Sequence, residues 1–395
     1  MTLSAITQID ELTVANLKAI ASARAGLTDF GPNQYEEALE ALTRSMREEA
    51  QLSEQGLMMQ SERLLNSLNN RLRKQALLTK YPEILDEQIK VSAIIIGLPR
   101  TGSTMFQRLL ASHTNFTATY WWETMFPMPL DHEPEGDPSE RIAMGEALME
   151  QILGAMQNFE AIHPMDARAH DEEVMMLEHS FVSNVPASAM YVPAYDEWML
   201  SKDQTDSLSE LIDYIKILQW QTPERRQQGW ILKSPHHLTC TATLLKLFPD
   251  ALIVMPHRPI DEVMPSWYSM VGTLTRADCN IDDVVVRQAH HWNDRLARNL
   301  KDTIAARRSA PERFIDIHYQ DLLSRPLEAG KSVFERLGIP FGDDDTEQFK
   351  AHMAANKRDD RPPHKHNLAD YDITLDRIRE IFAFYSEEFA QVFER

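Results

Sequence analysis

Val91-Ser92-Ala93-Ile94-Ile95-Ile96-Gly97-Leu98-Pro99-Arg100-Thr101-Gly102-Ser103-Thr104 is followed by Met105, Phe106, Leu109 and Leu110 at helical spacing. The run Ile94-Ile95-Ile96 reads as a strand buried on both faces, the pattern of a parallel sheet. Gly97 to Gly102 reads as a turn, and the apolar positions behind it predict a helix. Strand, glycine-bounded loop and helix in that order form the opening unit of a nucleotide-binding α/β sheet.

The loop itself has the G-x-x-x-x-G spacing of a Walker A motif and ends in hydroxyl residues. Its amides and the following helix N-terminus form an anion nest. The Walker lysine is missing: Ser103 stands in its place, and the cation Arg100 lies inside the loop instead. A nucleoside triphosphate would lose its usual charge partner here. A ligand with one phosphate and one sulfonate carries less charge, and hydroxyls, amides and one arginine suffice for it.

Further strands are predicted at Trp230 to Leu232, Ala251 to Met255 and Phe314 to Ile317, with helical patterns between them. The expected fold is therefore α/β, a P-loop nucleotide-kinase-like parallel sheet flanked by helices. Residues 1–90 read as a helical N-terminal region, with Leu57, Leu64, Leu65, Leu68 and Leu72 in phase and a stop at Tyr81-Pro82. The α/β domain then spans 91–395, with a Met-rich helical cap inserted at about 131–220. Asp343-Asp344-Asp345 and the stretch Lys357 to His366 read as loops.

His257-Arg258-Pro259 directly follows the third predicted strand, and Ser266 comes eight residues after Arg258. Ligands of open α/β sheets sit beyond the carboxyl ends of strands, and a guanidinium fork binds phosphate through two parallel hydrogen bonds. By itself this pattern also fits a solvated arginine and a helix-capping serine.

Taken together, the two motifs resemble those of sulfotransferases that use 3′-phosphoadenosine 5′-phosphosulfate (PAPS). Residues 97–104 look like that family's 5′-phosphosulfate loop, and Arg258 through Ser266 look like its 3′-phosphate motif. The resemblance runs from about Val91 to Phe389 and is nearest to the bacterial branch related to tyrosylprotein sulfotransferases. It implies that Arg100, Thr101, Gly102, Ser103 and Thr104 hold the phosphosulfate, that Arg258 and Ser266 hold the 3′-phosphate, and that no metal takes part. It also implies a third, basic anchor, for which Lys357, Arg358 and Arg361 are candidates, although the family's arginine-lysine-glycine order is absent.

Sulfonate transfer needs a base for the acceptor hydroxyl, positive charge on the departing phosphate oxygen and in-line geometry. Lys233, in Leu232-Lys233-Ser234-Pro235, resembles the family lysine that serves the bridging oxygen. Glu123, in Tyr120-Trp121-Trp122-Glu123, lies where the tyrosylprotein-type enzymes carry a catalytic glutamate, and the tryptophans would desolvate it. His236 and His237 are the rival bases, but Pro235 occupies the position where the cytosolic enzymes carry their histidine. His170-Asp171-Glu172-Glu173 reads as an acidic helix start, with lining of the acceptor pocket as a second option. His290-His291 and His364/His366 lack the convergent spacing of a metal site.

Sixty acidic residues against 40 basic ones give a net charge of −20, which disfavours nucleic-acid and sulfated-polysaccharide partners. No apolar run is long enough to cross a membrane. Met1 to Leu12 lacks the order of a secretion signal, and Cys240 and Cys279 are the only cysteines. A cytoplasmic enzyme acting on a small, hydrophobic hydroxyl acceptor is expected; the insertion's methionines either give an adaptable pocket lining or, in their more common use, fill helix interfaces. A homodimer is left open. The alternatives are a P-loop kinase-like phosphotransferase, which would want Mg²⁺ and the missing lysine, and a non-catalytic nucleotide-binding protein.

Overall fold

Five parallel strands form one sheet in the order β2-β3-β1-β4-β5. They are β1 (Val91–Ile95), β2 (Phe116–Thr117), β3 (Gly229–Lys233), β4 (Leu252–His257) and β5 (Phe314–His318). The computed structural model describes residues 5–156, 159–279, 282–356 and 367–394.

Alternation along each strand divides the apolar residues between two cores. Ala93, Ile95, Ile231, Leu252, Val254, Ile315 and Ile317 face one side. Ile94, Leu232, Ile253 and Met255 face the other. The first side is covered by α4 (Ser103–Ala111), through Phe106, Leu109 and Leu110, and by the helix Pro326–Leu337, through Val333 and Phe334. Burial on both faces explains why the strands read as continuous apolar runs rather than as alternating ones.

The second side is thicker. It includes α1 (Val14–Ala25), α2 (Gln34–Glu48) and α3 (Glu54–Lys80), most of the insertion, and the helices Ile260–Asp278 and Asp282–Arg307. Leu57, Leu64, Leu65, Leu68 and Leu72 all lie buried on α3, which ends one residue before Tyr81-Pro82 as the sequence predicts. This helix docks tightly: a Cβ at Gly56 would stand 2.0 Å from the carbonyl oxygen of Asp278, so only glycine fits there. Ser53 N–H donates to that carbonyl, and Gln60 donates to the Asp278 carboxylate at 2.7 Å.

One expectation changes, one strand was missed, and one open alternative is decided. Asp343-Asp344-Asp345 is not a loop but the first turn of the helix Asp343–Ala355, where acidic side chains complement the helix N-terminus and Asp345 accepts from Gly342 N–H. Strand β2 escaped the sequence reading because two residues carry no periodicity. The insertion's methionines mostly fill helix interfaces: Met176, Met190 and Met199 lie in the large core, and Met149 packs with Trp121 and Ala167. The Lys357 to His366 stretch lies outside the described residues. Among the described residues no helix is long and apolar enough to cross a membrane.

Candidate anion and transfer site at the strand ends

The chain moves from β1 to β2 and β3 on one side and then returns to place β4 on the other. The carboxyl ends of β3, β1 and β4 therefore lie side by side, at the switch point where open α/β sheets bind ligands. The residues of the two predicted donor motifs, 97–104 and 258–266, follow β1 and β4; the candidate third anchor, Lys357, Arg358 and Arg361, lies outside the described residues.

After β1 the backbone takes left-handed values at Arg100 (φ 66°) and Gly102 (φ 81°). Gly102 is the N-cap of α4, so the turn feeds Ser103 and Thr104 into the helix's first positions. For a side-chain residue such as Arg100 this conformation costs on the order of 1–2 kcal/mol. Neighbouring bonds hold it. Arg100 donates to the Ser266 hydroxyl at 3.1 Å and to the Ile162 carbonyl at 2.9 Å, while Arg258, just beyond β4, donates to the Arg100 carbonyl at 3.0 Å. The hydroxyl of buried Thr101 closes the turn on the Leu98 carbonyl at 2.8 Å.

Arg100, Thr101, Gly102, Ser103, Thr104, Arg258 and Ser266 thus gather at one place. Arg258 lies over the Tyr319 ring at 4.4 Å and is paired with Glu262 at 2.9 Å. Arg100 has no carboxylate partner among the described residues. Burial, and then the neighbouring Arg258 charge, lowers its pKa. Two guanidinium groups converge at a helix N-terminus, one of them half-buried against neutral acceptors. That arrangement fits an anion carrying phosphate or sulfonate oxygens.

Lys233 ends β3 with its side chain fully buried. Its ammonium donates to Thr104 Oγ1 at 2.9 Å and to Glu172 Oε1 at 2.7 Å, with Asp171 Oδ1 at 3.8 Å. The lysine is thereby tied to the helix that the glycine-bounded loop begins.

The expected bases lie in different surroundings. Glu123 Oε2 accepts from Tyr120 N–H at 2.9 Å, and its Oε1 pairs with Arg225 at 2.8 Å; both side chains are nearly sealed. His236 is buried with Nδ1 accepting from Asn184 N–H at 3.2 Å and Nε2 meeting Gln204 Oε1 at 3.0 Å. Burial, reinforced by the charges of His237 and Arg295, keeps it neutral. His237 is sealed against Glu173. None of these three has a hydrogen bond or ion pair with Thr104 or with the Lys233 ammonium.

The sequence reads the segment before Val174 first as a helix start, with lining of the acceptor pocket only as a second option. Asp171 N–H donates to the Thr119 carbonyl at 2.9 Å, and Arg108 on α4 donates to the His170 carbonyl at 2.8 Å, which straps residues 169–173 across the strand ends. His170 stacks on Tyr120, and its pKa is driven down to about 4 by burial and by the Arg225 charge. Glu173 takes the N-cap position of the short helix Val174–Leu177 without a side-chain cap bond, and no acidic residue lies in its first turn, so the run is not an acidic helix start. Burial alone would raise the Asp171 pKa, but Lys233, His163 and Arg108 outweigh it and lower it. His163, unassigned by sequence, sits in the fields of Asp171, Arg100 and Lys233, with its pKa driven by burial to about 4. The four successive polar residues 170–173 were a signal, but the opposing cations are remote in sequence. Among the described residues no group of three or more His, Cys, Asp or Glu side chains is arranged to hold a metal.

Comparison with known proteins agrees with this geometry. Residues 93–343 match the model of the sulfotransferase family. Among solved structures, sulfotransferase STF1 of Mycobacterium tuberculosis H37Rv is similar, with 28% identity, a TM-score of 0.79, and coverage of 95% of this chain and 100% of that one. Sulfotransferase STF9 of Mycobacterium avium shares the fold at 21% identity and a TM-score of 0.84, covering 96% of this chain and 97% of its own. No curated protein matches in sequence. With its parallel sheet, its glycine-bounded loop and a family match spanning most of its length, the chain belongs to the sulfotransferase family.

Proposed function

We propose that the protein transfers a sulfonate group from PAPS to a hydroxyl of a small, hydrophobic organic acceptor. The observation that carries this reading is the joining of two basic motifs: Arg258 bonds the carbonyl of Arg100, and Arg100 bonds Ser266. The expected 5′-phosphosulfate loop and 3′-phosphate motif are thus in direct contact, close enough to serve one nucleotide.

In this reading the loop amides, Arg100, Thr101, Ser103 and Thr104 hold the phosphosulfate, and Arg258 with Ser266 holds the 3′-phosphate. The acceptor oxygen attacks sulfur, the sulfur–oxygen bond to the 5′-phosphate breaks, and the electron pair stays on the phosphate. Lys233 supplies positive charge to that oxygen, which is where charge grows in the transition state. Its contact with Thr104 supports the role. The proton of the acceptor passes to a base. Glu123, the base expected from sequence, has Arg225 and a helix cap as partners, so a supporting role in holding Arg225 suits it better. Two buried free thiols, Cys240 and Cys279, are in keeping with a cytoplasmic enzyme.

The test pairs binding with turnover. Thermal shifts with PAP, the product nucleotide of PAPS, and with ATP–Mg²⁺ should show stabilisation by PAP; stabilisation by ATP–Mg²⁺ alone would point to a kinase. Radiolabelled PAPS offered with a panel of alcohols and phenols should yield a sulfated product. PAP binding without transfer to any acceptor would make the protein a nucleotide-binding protein instead.

A further inference from the structure

Three consecutive carboxylates, Asp171, Glu172 and Glu173, meet the end of β3, and they are not equivalent. Asp171 has Arg108 at 3.6 Å in addition to Lys233. Glu173 is sealed, with His237 on one oxygen and the Lys233 N–H at 3.0 Å on the other. Among the described residues Glu172 has one cation, the Lys233 ammonium at 2.7 Å, and its second oxygen meets the Ser234 hydroxyl at 3.2 Å. It is also the most accessible of the three, with a side chain 23% exposed against 10% for Asp171 and none for Glu173.

We propose that Glu172 is the general base of the transfer, and that it becomes basic when the donor's phosphate draws the Lys233 ammonium away from it. The proposal rests on the sulfonate-transfer reading above. In the free protein one ammonium bridges Thr104, on the phosphosulfate helix, and Glu172. A phosphate oxygen bound at that helix competes for the same ammonium. Glu172 then keeps its burial and the repulsion of Asp171 and Glu173 but loses part of the Lys233 counter-charge. Burial already holds its pKa above that of an ordinary glutamate, with Lys233 acting against the rise. Among the described residues the other cations nearby are committed elsewhere, Arg108 to Asp171 and His237 to Glu173, and His163 is kept neutral by burial. The base therefore gains strength only once the donor is in place, which favours transfer in the loaded site. The acceptor's O–H proton moves to a Glu172 oxygen as its oxygen bonds to sulfur, and the proton later leaves to solvent.

Titration calorimetry with PAP at pH 7, in PIPES and in Tris, reads the protons exchanged on binding. Wild type should take up a fraction of a proton, and Glu172→Gln should bind PAP equally or more tightly without that uptake. Turnover of radiolabelled PAPS should fall about 10²–10⁴-fold in Glu172→Gln, and Glu172→Asp should recover part of it with a displaced acidic limb in the kcat profile. Uptake unchanged in the Gln variant, or turnover within tenfold of wild type, would overturn the role of Glu172. Failure of wild type to bind PAP at all would instead overturn the sulfonate reading, so the two failures are separable.

Discussion

The guanidinium of Arg258 donates to the main-chain carbonyl of Arg100 at 3.0 Å, tying the turn after β4 to the loop after β1. One side chain thus both shapes the strained loop and contributes charge to it. Arg258→Ala should weaken PAP binding by about 1.5–3 kcal/mol, the scale of a hydrogen bond to a charged group. Calorimetric affinity equal to wild type would remove Arg258 from the donor site.

Glu123 and Arg225 form a buried ion pair, with side chains 4% and 6% exposed. Glu123→Ala leaves the guanidinium uncompensated, and urea denaturation should show a loss of about 3–5 kcal/mol. For Glu123→Gln, turnover per folded molecule should fall less than tenfold. A fall of a hundredfold or more with unchanged stability would return the base role to Glu123.

Gly102 combines a left-handed backbone with the Tyr319 ring, which would lie 3.1 Å from an added Cβ. Gly102→Ala should cost about 1–2 kcal/mol of stability from the backbone alone. Because the same residue caps α4, PAP affinity should drop as well. A variant with wild-type melting temperature and PAP affinity would show that the turn tolerates a side chain.

Asp278 is 4% exposed, and burial lifts its pKa to about 6, against the Gln60 bond and the Arg63 charge. The folded protein thus holds this proton more tightly than the unfolded chain does. Its contribution to stability is complete below about pH 4 and is lost as pH rises through 6. Asp278→Asn keeps an acceptor for Gln60 and should be more stable than wild type at pH 7 by about 2–3 kcal/mol. The difference should shrink towards pH 4; chemical denaturation at both pH values measures it.

Legibility in the sequence followed the range of the interactions. Local, periodic features were readable: the strand before Gly97, the α3 leucines and the stop at Tyr81-Pro82. So was the link between residues 97–104 and 258–266, because each motif is contiguous and follows a strand. What escaped depends on contacts between distant segments. Glu172 acquires meaning only from Lys233, 61 residues away, and Glu123 acquires a partner in Arg225 that nothing nearby announces. The two-residue strand β2 is set by pairing with Gly229 and Trp230 rather than by its own pattern. Helical spacing also could not tell a methionine that packs from one that lines a cavity.

Arg100, Lys233 and Arg258 stand at or just beyond the ends of sheet strands, whereas Asp171 and Glu172 arrive on the long excursion between β2 and β3. In the proposed reaction the strand ends serve the nucleotide, and the excursion, which carries the proposed base, is the stretch through which a different alcohol would be accommodated. Chimeras that exchange only the excursion between related enzymes should inherit the nucleotide affinity of one parent and the substrate preference of the other.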